Sequence, residues 1–302
     1  MKYKYRRYYL YYLGRLAALK FYLLPLSVGL FAARIFGSAA YWLLPRYRNA
    51  ALANLREAFA GGKTEAEIRS IARRVFENLA MVAVEMVRFP HINGRNIGRY
   101  IRFEGLEIFD RSFKEGRGTI VLTGHFGNWE LLAMAIRVKG YPGVAVGRKI
   151  YFHKYDEYLN RLRGIHDVNV IDREGSIRSF LRVLRSNRIV GILADQDVDS
   201  VDGVFVNFFG KPAYTPIGPV ALARVAGSPI IPTFIVREGL HHRFIVNEPV
   251  RLVDTGDAAK DMVTNTQAWS DVLESFIRRY PDHWVWMHRR WKTKAVDGEA
   301  RT

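Results

Sequence analysis

Thr119–Gly140 reads TIVLTGHFGNWELLAMAIRVKG. Its first five residues are apolar or β-branched, the pattern of a strand buried on both faces. A Gly-His-Phe-Gly break follows. From Trp129 onward the apolar residues recur at helical spacing, with Asn128 placed to cap the helix. His125 therefore stands where a buried strand gives way to a helix. In a parallel α/β sheet, ligands bind at that end of the strands.

The same alternation runs outward from this point. TIVLT, GVAVG, VNVID, RIVGILA, SPIIPTFIV and RFIVNEP read as strands. Helical patterns separate them, among them Ser176 to Ser186 and Ile217 to Ala226. The expected fold class is α/β, with a mostly parallel central sheet flanked by helices. Upstream, Pro45 to Pro90 reads as two helices broken at Gly61-Gly62, with Thr64 as the second N-cap.

Within GHFGNWE, His125 and Glu130 are five positions apart, about 140° around a helix, so they share no helix face. They meet only if His125 precedes the helix and Glu130 reaches back from its first turn. Gly124 and Gly127 give the backbone freedom for that turn. Such a pair is a general base and its orienter with no protein nucleophile beside it, which suits activation of a substrate hydroxyl. The expectation is that Glu130 holds one imidazole nitrogen and leaves the other free.

The chain of 302 residues carries a formal net charge of +17 and is 49% hydrophobic, with no Cys. Thiolate chemistry is excluded, and anionic partners are favoured. The N-terminus narrows those partners. Lys2, Lys4, Arg6, Arg7, Arg15 and Lys20 alternate with tyrosines, and an apolar stretch from Leu19 to Leu44 follows, interrupted by Lys20 and Arg34. Basic residues and tyrosines before an apolar helix suit the headgroup layer of a membrane. The uncharged part, Phe21 to Ala33, is shorter than the roughly 20 residues of a span. With Arg34 snorkelling, Leu19 to Leu44 is long enough to cross. Spanning and lying on the membrane both fit. The expected organisation is a basic N-terminus and membrane-anchoring helix over 1–48 and a catalytic domain over 49–302.

Several motifs carry no chemistry. AFAGGKTE resembles a phosphate loop, but the required first Gly falls on Glu57. GxSxG, GxGxxG and HExxH are missing, and Asp195 with Asp197 lacks the partners of a metal site, so no metal is expected. His241-His242 falls in a polar stretch between strands and is expected to be solvated. Arg178, Arg182 and Arg185 read as a solvated helix face.

The His125-x4-Glu130 arrangement resembles the signature of glycerolipid-type acyltransferases. Three later blocks extend the likeness over nearly the whole chain: YLNRLRGIHDVNVIDREGSIRSFLRVL, GILADQDVDSVDGVFVNFFGKPAYTPIGPVALARVAGSPIIPTF and YPDHWVWMHRRWKTK. Together they resemble the lysophospholipid-acyltransferase superfamily, in the branch of late acyltransferases of bacterial lipid A biosynthesis. The resemblance implies a glycerolipid acyltransferase-like fold and a catalytic dyad of His125 and Glu130. It implies groove positions at Arg161, Arg163 and Arg173, and functional acidic positions at Asp195 and Asp197. Fixed arginines at strand ends suit phosphate recognition, while the two Asp residues suit either substrate contact or pairing with those arginines.

The reading that results is an enzyme at the cytoplasmic face of the bacterial inner membrane. It moves a fatty acyl group from acyl-carrier protein, or acyl-CoA, to a hydroxyl of a phosphorylated glycolipid, with Gly127 and Asn128 at the substrate. It needs no cofactor, and membrane phospholipids rather than nucleic acid are its other partner. A mannosylated phosphoinositide or a lysophospholipid is the alternative acceptor. A non-catalytic basic protein is the more distant alternative. In the tail, Trp284, Trp286 and Trp291 with Arg289, Arg290, Lys292 and Lys294 fit either a packed strand or an interfacial girdle.

Overall fold

The computed structural model describes residues 5–173 and 175–294. Lys2, Tyr3 and Lys4 of the basic start, and Glu174, lie outside the described residues. In chain order the elements are α1 (Tyr5–Leu23), α2 (Leu26–Leu43), α3 (Pro45–Ala58), α4 (Glu65–Val87), β1 (Ile101–Glu104), α5 (Leu106–Lys114), β2 (Thr119–Thr123), α6 (Trp129–Val138), β3 (Gly143–Gly147) and α7 (His153–Gly164). There follow β4 (Asn169–Asp172), α8 (Ile177–Arg185), β5 (Ile189–Leu193), β6 (Gly203–Phe208), β7 (Lys211–Pro216), α9 (Gly218–Ala226), β8 (Ile230–Glu238), β9 (His241–Val246) and α10 (Ala258–Arg279).

Seven strands form the main sheet in the order β1-β9-β8-β2-β5-β3-β4. Every neighbouring pair is parallel except β8 with β9. This is the mostly parallel α/β architecture expected. β2 lies at the centre, and all five of its residues are buried. Ile120 and Leu122 join the core on one face, with α4, α9, α10 and the C-terminal tryptophans. Val121 joins the core on the other face, with α5 and α6. Strand alternation thus distributes one apolar run between two layers.

Local signals were obeyed where chain-local chemistry suffices. α3 and α4 part around Gly61-Gly62, and Thr64 heads α4 through a full capping box with Glu67. The β6–β7 hairpin was not read from the sequence. Its signal was alternation around Phe209-Gly210, both left-handed (φ 57° and 77°), as a two-residue hairpin turn requires.

Two expectations are corrected. Leu19 to Leu44 is not one helix. Pro25, with no N–H to donate, separates α1 from α2 and precedes the first turn of the second helix. His241-His242 is not a solvated pair. β9 starts there, and His242 is buried against Glu85, with Nε2 2.8 Å from its carboxylate.

Candidate active site

The site is built on two adjacent parallel strands. Thr123 of β2 is in register with Leu193 of β5, so His125 and Asp195 lie two residues beyond the same rung. The His125 Nδ1 stands 2.8 Å from Asp195 Oδ1, and the His125 backbone N–H donates to Oδ2 at 2.8 Å. The indole N–H of Trp284 donates to that same Oδ2 at 2.8 Å. Asp195 is fully buried, while the His125 side chain keeps 27% exposure. Nδ1 is held, which leaves Nε2 as the nitrogen able to exchange a proton with a bound molecule.

The turn after β2 is forced by close packing. Gly127 has φ 58°, and a Cβ there would lie 1.9 Å from the Ile235 carbonyl oxygen, so only glycine fits. The Gly127 N–H donates to the His283 carbonyl at 2.8 Å, and the Val285 N–H donates to the His125 carbonyl at 3.1 Å. The C-terminal segment therefore clamps the turn. Asn128 caps α6, its Oδ1 accepting from the Leu131 N–H at 2.9 Å, while its Nδ2 donates to Glu85 at 2.7 Å. Glu85 also receives both terminal nitrogens of Arg237, each at 2.6 Å. This buried cluster anchors the start of α6 from behind. Burial opposes charge on Glu85, but His242 and Arg237 overcome it and hold the carboxyl well below its usual range.

Glu130 does not hold the imidazole, contrary to the expectation. It stands in the first turn of α6 and turns toward α7, where Arg163 forks onto both its oxygens at 2.8 and 2.5 Å. The bidentate guanidinium is the stronger partner for a carboxylate, and the place at Nδ1 belongs to Asp195. Glu130 still acts on His125 at a distance. Burial pushes the imidazole pKa down, yet Asp195 and then Glu130 outweigh it, and the net shift is upward. On Asp195, burial favours the neutral form, but His125 and its hydrogen bonds prevail and keep the carboxyl strongly ionised.

The other expected positions separate into several groups. Asp197 accepts from the Thr293 N–H and hydroxyl, both at 2.7 Å, and so fastens the C-terminal segment. Neither Asp195 nor Asp197 pairs with Arg161, Arg163 or Arg173. Arg161 is exposed on the last turn of α7. Arg173 follows β4, its backbone N–H donating to Gly147 at 2.7 Å, while its Nε is buried without a hydrogen-bond partner. The Gly127 N–H and the Asn128 side chain are engaged with protein as described.

Trp284 and Trp286 are fully buried and Trp291 nearly so, with Arg290 buried among them. The three indoles are therefore core rather than an interfacial girdle, while Arg289, Lys292 and Lys294 of the tail stay exposed. The indoles fill the space behind Asp195, and Arg290 bonds Tyr214 and Thr215. His288, not singled out from the sequence, has its ring centroid 6.4 Å from that of His125. Burial, opposed by Asp195 and aided by His125 and Arg290, pushes its pKa down to about 4. Two nearby imidazoles thus have opposite charge preferences, the pattern that divides acid–base roles.

An apolar cleft opens beside the site, between α6 and the sheet. Its lining includes Val121, Thr123, Trp129, Leu132, Val144 and Leu193. The Trp129 ring stands edge-on to His125, with centroids 5.2 Å apart. The arrangement combines a base with a free Nε2, a buried carboxylate that stabilises its cation, and an apolar slot within reach of both.

The sequence of residues 1–293 matches the family model described as bacterial lipid A biosynthesis acyltransferase. A phosphatidylinositol mannoside acyltransferase of Mycobacterium tuberculosis is 29% identical over 217 residues, which cover 68% of this chain and 66% of that protein. The lipid A biosynthesis lauroyltransferase of Escherichia coli is 27% identical, over 76% of this chain and 74% of the relative. The lipid A biosynthesis palmitoleoyltransferase of Escherichia coli is 25% identical, over 92% and 89%. The match spans nearly the whole chain and includes every element that builds the His125 site, so this protein belongs to the family of bacterial lipid A biosynthesis acyltransferases and is an acyltransferase.

Proposed function

We propose that this protein transfers a fatty acyl group from a thioester, carried by acyl-carrier protein or CoA, to a hydroxyl of a lipid A precursor. The observation that carries the reading is His125, held at Nδ1 by buried Asp195, beside an apolar cleft. His125 Nε2 takes the hydroxyl proton as the oxygen attacks the thioester carbonyl. The tetrahedral intermediate then collapses, the C–S bond breaks, and the thiolate takes the proton from the imidazolium. Donor and acceptor are bound together, and the cleft under Trp129 receives the acyl chain. The positive end of the α6 dipole favours the developing oxyanion. Glu130 contributes through Arg163 and by its charge. No step calls for a cofactor.

Arg173, which follows β4 at the sheet end that carries His125, and Arg161, exposed on the last turn of α7, take the acceptor phosphates. Residues 1–48 attach the protein to the cytoplasmic face of the inner membrane, and 49–302 form the acyltransferase domain. A phosphoinositide mannoside acceptor is the second reading, favoured by the 29% identity to the mycobacterial enzyme. The test offers the detergent-purified protein acyl-carrier-protein and CoA thioesters with each acceptor, followed by mass spectrometry of the lipid. A mass increase of one acyl group on the lipid A precursor, lost in His125→Ala, is expected. Transfer only to the inositol lipid overturns the first acceptor, and an active His125→Ala protein overturns the mechanism.

A further inference from the structure

Helix α2 is long and apolar enough to cross a membrane by length and composition, but its packing points elsewhere. One strip, Gly29, Leu30, Ala33, Gly37 and Tyr41, is buried. Small residues along it bring α2 into backbone contact with α4: a Cβ on Gly37 would lie 2.5 Å from the Glu77 Cα. Ser38 donates to Glu77 at 2.6 Å, and Arg34 reaches the same carboxylate at 3.5 Å. At the turn between the helices, Arg88 donates to the carbonyls of Phe21, Tyr22 and Leu24, and Tyr22 stacks on His91 at 4.3 Å. α1 is fastened in turn to the catalytic domain. Tyr8 packs edge-on to Phe152 at 5.2 Å, and the Arg15 guanidinium lies 4.2 Å from the Tyr158 ring centroid.

The opposite strip of α2 faces outward, and of its residues Trp42 alone meets neighbouring side chains, the Tyr41 ring and the Arg48 guanidinium. Val28, Phe31, Ile35 and Trp42 are 48%, 67%, 54% and 67% exposed, at the i, i+3, i+7, i+14 spacing of one face. α1 adds Tyr9, Leu13, Leu16 and Leu23, also exposed. No Asp or Glu precedes Glu57, while Arg6, Arg15, Lys20, Arg34, Arg46 and Arg48 do. The occupant that fits an apolar strip with basic flanks and no acidic group is an anionic bilayer surface.

We infer that α1 and α2 form a hairpin lying in the plane of the membrane, with α2 not crossing it. Crossing would take α4 into hydrocarbon beside α2, with Arg69, Arg73 and Glu77 on it and the whole sheet packed behind. Lying flat costs no packed contact. It sets α7, which carries Arg163, alongside the membrane-seated α1, so a lipid hydroxyl reaches His125 without leaving the interface. This inference rests on the membrane association proposed above.

The absence of Cys makes single labels unique. Full-length Val28→Cys, Phe31→Cys, Ile35→Cys and Trp42→Cys proteins, each carrying one environment-sensitive dye, are mixed with phosphatidylglycerol-containing vesicles. Quenching by lipids brominated at successive acyl carbons then reads depth. The ends of the series are about 21 Å apart along the helix axis. An in-plane helix gives one shallow depth at all four positions. Phe31 and Ile35 at mid-bilayer, with Val28 and Trp42 toward opposite surfaces, overturns the inference. Absence of quenching with dimeric sedimentation overturns it as well, and assigns the strip to a second copy. None of these readouts depends on catalysis, so a wrong acceptor or mechanism leaves them unchanged.

Discussion

Asp195 stands 70 residues beyond His125 in the chain, yet its carboxylate takes both the Nδ1 side of the ring and the backbone N–H of that residue. One acid thus orients the base and fixes the turn that carries it. With the pKa of His125 raised, the imidazole is protonated in the free enzyme up to a pH above its ordinary 6.5. The acid limb of kcat/KM is therefore expected to have its midpoint above 6.5. In Asp195→Asn the cation loses its main support, burial dominates, and the midpoint should move to lower pH while kcat falls. A pH–rate profile checks both, and an unmoved limb counts against the pairing. His125→Ala should lose about 10²- to 10⁴-fold in kcat.

Glu130 and Arg163 are expected to behave as one unit. Glu130→Gln and Arg163→Ala should each lower activity less than His125→Ala. Their double variant should be little worse than the worse single one, with a coupling of about 0.5–3 kcal/mol. A double-mutant cycle on kcat/KM measures this. Additive losses would show that the two residues serve the reaction separately.

Glu85 tests the support behind α6. Its carboxylate balances Arg237 and His242 and holds Asn128, all out of solvent. Glu85→Ala leaves that cationic partner uncompensated, an effect of about 3–5 kcal/mol. A marked drop in the unfolding midpoint in detergent is expected, and a variant as stable as the parent would show the cluster to be idle.

Gly127→Ala should be destabilised by more than the roughly 1 kcal/mol of an ordinary Gly-to-Ala conflict at positive φ, because the new methyl meets the Ile235 carbonyl. Thermal unfolding measures it. Gly140→Ala serves as the comparison, since its φ is 92° but no atom lies within 4 Å of the added Cβ. Equal losses at both positions would mean backbone strain alone, without the clash.

Neutralising the two arginines read as phosphate ligands should act on binding. Arg161→Gln or Arg173→Gln should raise the acceptor KM by about 10- to 150-fold, as expected for loss of a charged hydrogen bond worth about 1.5–3 kcal/mol. The KM for the thioester donor should stay unchanged. An effect confined to stability would assign these residues to structure.

How much of this was legible beforehand follows the range of the physics involved. The β2–turn–α6 unit was readable because strand periodicity, the glycines and the Asn128 cap act over a few neighbouring residues. The same holds for the Thr64 capping box and for the position of His125 just beyond a strand end. What distance along the chain conceals is who meets whom. Asp195 was visible as an acid after a strand, but only the parallel pairing of β2 with β5, with Thr123 opposite Leu193, carries it to His125. Glu130 was close in sequence and therefore the natural candidate, yet α7 offered it a guanidinium fork that no local pattern announces. Trp284 and Arg290 fitted either a packed strand or an interfacial girdle, because amphipathic composition is the same for a girdle and a buried segment. His242 read as solvated because its partner, Glu85, lies 157 positions away. Composition and periodicity determined the sheet, the place of His125 at a strand end and the basic apolar start. Tertiary packing alone decided which carboxylate serves the histidine, because that choice depends on strand order and side-chain competition across the fold.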